Sequence, residues 1–143
     1  MELEWQLDFE TGNEYVDLQH RYFVDLINRV GINFRETNDA AYKEKLISEL
    51  GKYADFHFTS EENIAKSCNL SGVSSHHQRH SELLEEFNHH AEDLNKNLET
   101  VDEFLGFLTD WFVGHTIYED QKLFKAIYKW FQNLRSGSRA PLH

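Results

Sequence analysis

Proline is almost missing from this chain. The single one, Pro141, sits beside the C-terminus, so nothing between residues 1 and 140 forces a break in a helix. Cysteine is as scarce. Cys68 stands alone, which excludes an intrachain disulfide and any zinc or iron–sulfur site built on several cysteines, and it fits a reducing compartment. Positive charge is in deficit. Lys and Arg number 14 against 25 Asp and Glu, for a formal net charge of -11. Binding to phosphate backbones or to an anionic membrane surface calls for the opposite sign, so nucleic acid and membrane are excluded as expected partners. No apolar run approaches membrane-spanning length, and the opening MELEWQLDFE has neither a basic start nor an apolar stretch. A cytoplasmic location is the expectation.

What the chain does have is aromatic residues, histidine and helical periodicity. Its 143 residues predict one domain, over 1–135, with 136–143 as a linker or tail. Apolar residues recur at three and four rather than two. A first helix is predicted over about 14–36, with Phe23, Ile27, Val30 and Phe34 inward and Asn13 as cap. A second spans about 39–66, with Leu46, Leu50, Tyr53 and Ile64 inward and Asp39 as cap. A third spans about 75–98, lined by Leu83, Phe87, Ala91 and Leu94 and capped by Ser74 or Ser75. A fourth starts near Val101 with Phe104, Leu108 and Trp111, and its pattern continues through Leu123, Ile127, Tyr128 and Phe131. The loop NLSGVS joins helices two and three, and the other connections are short. The expected fold is all-α: an antiparallel up-and-down four-helix bundle with an N-terminal arm (Trp5, Leu7, Phe9) and an extended C-terminal helix.

The polar residues follow the same periodicity. Residues four apart share one helix face. His57 and Glu61 have that spacing and continue the stripe of Leu46, Leu50 and Tyr53. His76 and His80 have it too, and they lead into Leu83 and Phe87. His20 precedes Phe23 and Ile27 on the buried face, and His115 follows Leu108 and Trp111. Every helix therefore sends histidine inward. A lone buried histidine is usually a core residue whose hydrogen bonds are met. Five of them with a carboxylate would cost several kcal/mol to desolvate unless something takes their lone pairs, as a metal does. Asp120, five residues after His115, lies about 140° off that stripe on a straight helix, so a π-bulge is predicted there.

The candidate ligands are His20, His57, Glu61, His76, His80, His115 and Asp120. Seven donors exceed one tetrahedral zinc site and suit two metals sharing carboxylates. Imidazole with carboxylate favours iron, with manganese or zinc compatible. A ferritin-like centre needs two Glu-x-x-His motifs. Only EFNH at 86–89 has that form, and its Glu86 is off the stripe. Glu62, Glu85 and Glu86 read as solvated, His77, His89 and His143 as surface residues, His90 as bordering the apolar stripe, and Cys68 as a small filler.

Trp5, Gly12, DLQH at 17–20, HFTSEE at 57–62, HHQRH at 76–80 and HTIYED at 115–120 together resemble the haemerythrins, in particular their bacterial branch. The resemblance runs from residue 5 to about 130. It implies a non-haem di-iron centre that binds dioxygen reversibly. By position, His76, His80 and His115 would hold one iron, and His20 and His57 the other. Glu61, Asp120 and an oxo or hydroxo group would bridge them, with dioxygen at the two-histidine iron. The chain departs from the bacterial pattern at Ala65, where Met is usual, at Leu70-Ser71, where Tyr-Pro is usual, and at Thr116, often Ile. Ala65 and Thr116 predict a wider or wetter pocket and faster autoxidation. A long-lived oxygenated form in air would contradict that.

The functional expectation is an oxygen or redox sensor module, with the helix after Asp120 leading to a C-terminal output domain such as a diguanylate cyclase or chemoreceptor. A stand-alone dioxygen carrier is the alternative, and a di-iron oxidase or peroxidase a weaker one. Catalysis is not expected, because no acid–base or nucleophile pair stands beyond the ligands. Exposed aromatics at 128–131 are compatible with a monomer or a weak dimer.

Overall fold

The computed structural model describes residues 2–68 and 73–135, without the side chains of Val73 and Ser74. All its regular structure is helical, and no strand occurs among the described residues. The α-helices are α1 (Glu14–Glu36), α2 (Ala40–Ser67), α3 (Val73–Asn95), α4 (Val101–Trp111) and α5 (Tyr118–Arg135), with a 3-10 turn at Leu7–Phe9. A π-helical stretch, Phe112–Ile117, joins α4 to α5 without a break.

Local chemistry explains most of the ends. Asn13 accepts from Val16 N at 3.1 Å and starts α1. The Asp39 side chain accepts from Ala41 N and Tyr42 N and starts α2. Thr100 and Glu103 form a reciprocal capping box at the head of α4. Helix α3 differs from the prediction at both ends. It already includes Val73, so Ser75 lies inside the helix and neither serine is its cap; the cap position falls outside the described residues. It also stops at Asn95 rather than residue 98. Asn97 takes a left-handed φ of 58°, Leu98 N bonds to Asp93 O at 2.8 Å, and Asn97 N to Leu94 O at 3.2 Å. That is a Schellman stop, which asparagine tolerates better than most residues. The loop residues 69–72 and the tail 136–143 lie outside the described residues.

Helix α1 packs on α2 and α4, and α3 packs on the same two, so the helices close around a common core. Phe23, Leu50, Phe58, Leu83, Phe104, Leu108 and Phe112 fill it. Tyr53 and Ile64, expected inward, are half-buried: Tyr53 reaches the rim, where its hydroxyl donates to Gln19 O at 2.7 Å. A second apolar cluster, Val16, Cys68, Phe124 and Ile127, ties α5 to the start of α1 and the end of α2. Cys68 is the small filler anticipated. Before α1, Leu3 and Asn28 exchange two hydrogen bonds of 2.9 and 2.7 Å, Phe9 is buried, and Trp5 meets it edge-on at 5.6 Å.

Candidate metal centre

All seven predicted donors arrive at one end of the bundle. His20 comes from the first half of α1, His57 and Glu61 from the second half of α2, and His76 and His80 from the first part of α3. His115 lies in the π stretch and Asp120 in the first turn of α5. Its wider i→i+5 turn is the device that lets a five-residue spacing serve one face. His20, His57, Glu61, His80, His115 and Asp120 are buried, and His76 is half-buried.

The donor atoms converge. His20 Nε2 lies 3.0 Å from both His57 Nε2 and Asp120 Oδ2. His57 Nε2 is 3.2 Å from Glu61 Oε1, and His76 Nε2 is 3.6 Å from Asp120 Oδ1. His80 Nε2 is 3.6 Å from Glu61 Oε1. Two sets of ligand atoms result, each with all members within 4.8 Å of one another: His20, His57, Glu61 and Asp120, and then Glu61, His76, His80 and Asp120. Both carboxylates belong to both sets. His115 adjoins the second, its ring centroid 5.8 Å from that of His80 and 6.2 Å from that of His76.

Without a cation the cluster is poorly satisfied. Both oxygens of Glu61, Oδ1 of Asp120, and Nε2 of His76, His80 and His115 are buried without a hydrogen-bond partner. Native interiors rarely leave such groups orphaned, and a cation accepting those lone pairs removes the cost. The donor set therefore fits metal. Burial lowers the imidazoles: His57 to about 4, against the pull of Asp120, and His115 to about 3. Both are neutral at physiological pH, as a ligand must be. The two carboxyls split. Burial and then the charge of Asp120 push Glu61 well above the ordinary carboxyl range. For Asp120 burial pulls upward, but its close polar contacts with Glu61, His20, His57 and His76 outweigh it and hold the group well below its usual value. The metal-free pair thus keeps a proton on Glu61 and a charge on Asp120.

An outer layer, not foreseen from sequence, orients these side chains. His57 Nδ1 donates to Gln19 Oε1 at 2.7 Å. His80 Nδ1 donates to Glu62 Oε2 at 2.7 Å, while Glu62 Oε1 takes His77 Nδ1 at 2.5 Å. The Glu62 side chain is 20% exposed, which corrects its reading as solvated. His77 is exposed as expected, yet engaged. His115 Nδ1 meets the Glu119 carboxylate. For His57 and His80 the outward nitrogen is held by a hydrogen bond and Nε2 faces the cluster; His115 Nδ1 makes no hydrogen bond. The adjacency of Gln19 to His20 and of Glu62 to Glu61 was the available signal, but it does not say which neighbouring helix each side chain reaches. Aromatic rings complete the wall: Phe58 stacks on His80 at 4.1 Å, and Phe112 meets His20 edge-on at 5.8 Å. Ala65 and Thr116 are buried, and the Thr116 hydroxyl has no partner. His90 stacks on Phe107 at 3.8 Å and bonds to Glu99, and it joins neither donor set.

A helical bundle with a buried, two-lobed cluster of imidazole and carboxylate defines a metal-binding helical protein. Sequence comparison narrows the class. The family model for the hemerythrin HHE cation binding domain matches residues 11–127, and the chain belongs to that family. It is similar to the bacteriohemerythrin of Clostridium acetobutylicum, 26% identical over 127 residues, covering 82% of this chain and 95% of that protein. The bacteriohemerythrin of Pseudomonas aeruginosa is 27% identical over 118 residues, covering 82% and 76%. A hemerythrin-like protein of Naegleria gruberi is 28% identical over 119 residues, covering 82% and 87%. Among the described residues, no helix is long and apolar enough to cross a membrane.

Proposed function

We propose that this chain is a non-haem di-iron domain that binds dioxygen, serving as an oxygen or redox sensor module of a larger bacterial signalling protein. One observation carries the di-iron reading: two donor sets share Glu61 and Asp120 and leave their inward lone pairs without partners. His76, His80 and His115 would hold one iron, His20 and His57 the other, with Glu61, Asp120 and a solvent-derived oxo or hydroxo group between them. Iron held there supplies the electrons for reversible dioxygen binding. The protein's own part is to keep the imidazoles neutral, to hold His57 and His80 through Gln19 and Glu62, and to exclude water with Phe58 and Phe112.

The sensor role is supported by α5, which exposes Tyr128, Phe131 and Leu134 beyond its last buried residue, Ile127. That face would meet an output domain. A stand-alone carrier is favoured by a different observation: the bacteriohemerythrins match over 95% and 76% of their own lengths. Short connections between α1 and α2 and between α3 and α4 support an antiparallel up-and-down order. The Leu3–Asn28 bonds support an N-terminal arm on the bundle. We read residues 1–135 as one domain in the cytoplasm, a monomer or weak dimer with no enzymatic activity of its own.

The test is metal analysis followed by an anaerobic-to-aerobic optical titration. About two irons per chain, a colourless reduced form and a visible charge-transfer band that reverses on deoxygenation are expected. Direct conversion to an oxo-bridged ferric spectrum favours redox sensing over carriage. Absence of iron, or zinc alone, overturns the reading.

A further inference from the structure

The two donor sets differ in what stands behind them. On one side the outward nitrogen of His57 rests on the neutral amide of Gln19, and His20 Nδ1 has no hydrogen-bond partner. On the other, the outward nitrogen of His80 rests on the carboxylate of Glu62, and His115 meets the carboxylate of Glu119. One hydrogen-bonded carboxylate, Glu62, therefore backs one set, with Glu119 lying close to His115 Nδ1 without a hydrogen bond, and none of these contacts brings an anion to the other. A carboxylate on the far nitrogen makes an imidazole a stronger donor to metal, and such partners are typically worth ten- to a hundredfold in affinity. The effect is large where the ligand is buried and little water screens it. Glu62 is also pinned, because exposed His77 holds its second oxygen at 2.5 Å.

We propose that this outer layer polarises the centre: Glu62 is a positioning residue that makes the His76–His80–His115 half the tighter and more readily oxidised metal position, and Gln19 leaves the His20–His57 half the weaker one. The inference rests on the two-metal reading and adds an order of filling and of oxidation to it.

The experiment titrates metal-free protein with Co(II), followed by its visible absorption, and then measures midpoint potentials of the iron-loaded protein. Glu62→Gln keeps an acceptor for His80 and removes only the charge. Gln19→Glu adds a charge behind His57. Wild type is expected to take two Co(II) in two steps of unequal affinity. Glu62→Gln should weaken the tighter step tenfold or more and lower the ferric-to-ferrous preference of that iron about tenfold, which raises its midpoint by ~59 mV. Gln19→Glu should strengthen the weaker step and bring the two together. A role in folding alone predicts no change of potential in Glu62→Gln, since the hydrogen bond remains. Equal steps in wild type, or a Glu62→Gln protein with unaltered potentials, overturns the proposal. Uptake of fewer than two ions overturns the two-metal reading itself. Should Glu62→Gln fail to fold by circular dichroism, Gln19→Glu decides alone: steps drawn together support the proposal, and unmoved steps refute it.

Discussion

Acidifying the metal-free protein attacks the centre where it is weakest. His57 is held at about 4 and His115 at about 3, against 6.5 when unfolded. A histidine with a depressed native value contributes stability that is fully present above 6.5 and is lost as pH falls toward the native value, because the unfolded chain takes up protons that the folded chain refuses. For His57 alone the gap from 6.5 to about 4 is worth roughly 3 kcal/mol. Together the two histidines give a slope of about 3 kcal/mol per pH unit below 6.5, and His80, also lowered by burial, adds in the same direction. Asp120, held low by its polar contacts, loses its contribution in the same sense at still lower pH. Glu61 opposes them. It keeps its proton in the folded state, so its contribution improves on acidification, but it is one group against several. Since a domain of this size has about 5–15 kcal/mol in total, metal-free protein should unfold between roughly pH 5 and 4. Urea unfolding of chelator-treated protein at half-unit steps from pH 7.5 to 4.5 measures the slope, and His57→Phe should reduce it by about one proton's worth, near 1.4 kcal/mol per pH unit. A flat profile, or stability rising toward acid, would refute the account of these imidazoles as buried and neutral.

Three further outcomes follow from packing. Phe58 is 1% exposed and stacks on His80, so Phe58→Ala should cost about 3–5 kcal/mol in urea unfolding of the metal-free form and weaken Co(II) uptake as well; a loss below 1 kcal/mol would mean the site collapses around the gap. Truncation after Lys122 removes the buried Phe124 and Ile127 and should cost about 3–6 kcal/mol, so a truncated protein of unchanged urea midpoint would make α5 a pure connector rather than part of the core. Thr100→Ala breaks the capping box and should cost about 1 kcal/mol, read by thermal unfolding, with Thr100→Ser restoring most of it.

The helices were legible because their apolar spacing is uninterrupted by proline, and the histidines were legible because they extend the same stripes: His57 and Glu61 continue Leu46 and Leu50, and His76 and His80 lead into Leu83. Residues that act through a hydrogen bond to a neighbouring helix were not. Glu62 sits beside Glu61 but turns toward α3, and only the packing of α2 on α3 brings His77 and His80 within its reach. Gln19 is invisible for the same reason, since its partner His57 is 38 residues away. The early stop of α3 depends on the left-handed turn at Asn97, and a polar run such as Asn95-Lys96-Asn97 offers no apolar period to mark it.

The inward residues from α4 to α5 are Phe104, Leu108, Trp111, His115, Asp120, Phe124 and Ile127, and only the step from His115 to Asp120 spans five. The extra residue is absorbed within one turn, and the apolar faces on either side keep their phase. Inside that turn the buried arc broadens to take in Phe112, Thr116 and Ile117. A step of four there would put every core step at three or four. The longer step therefore leaves the phase of the flanking core unchanged, and what it widens is the arc of chain that faces the cluster.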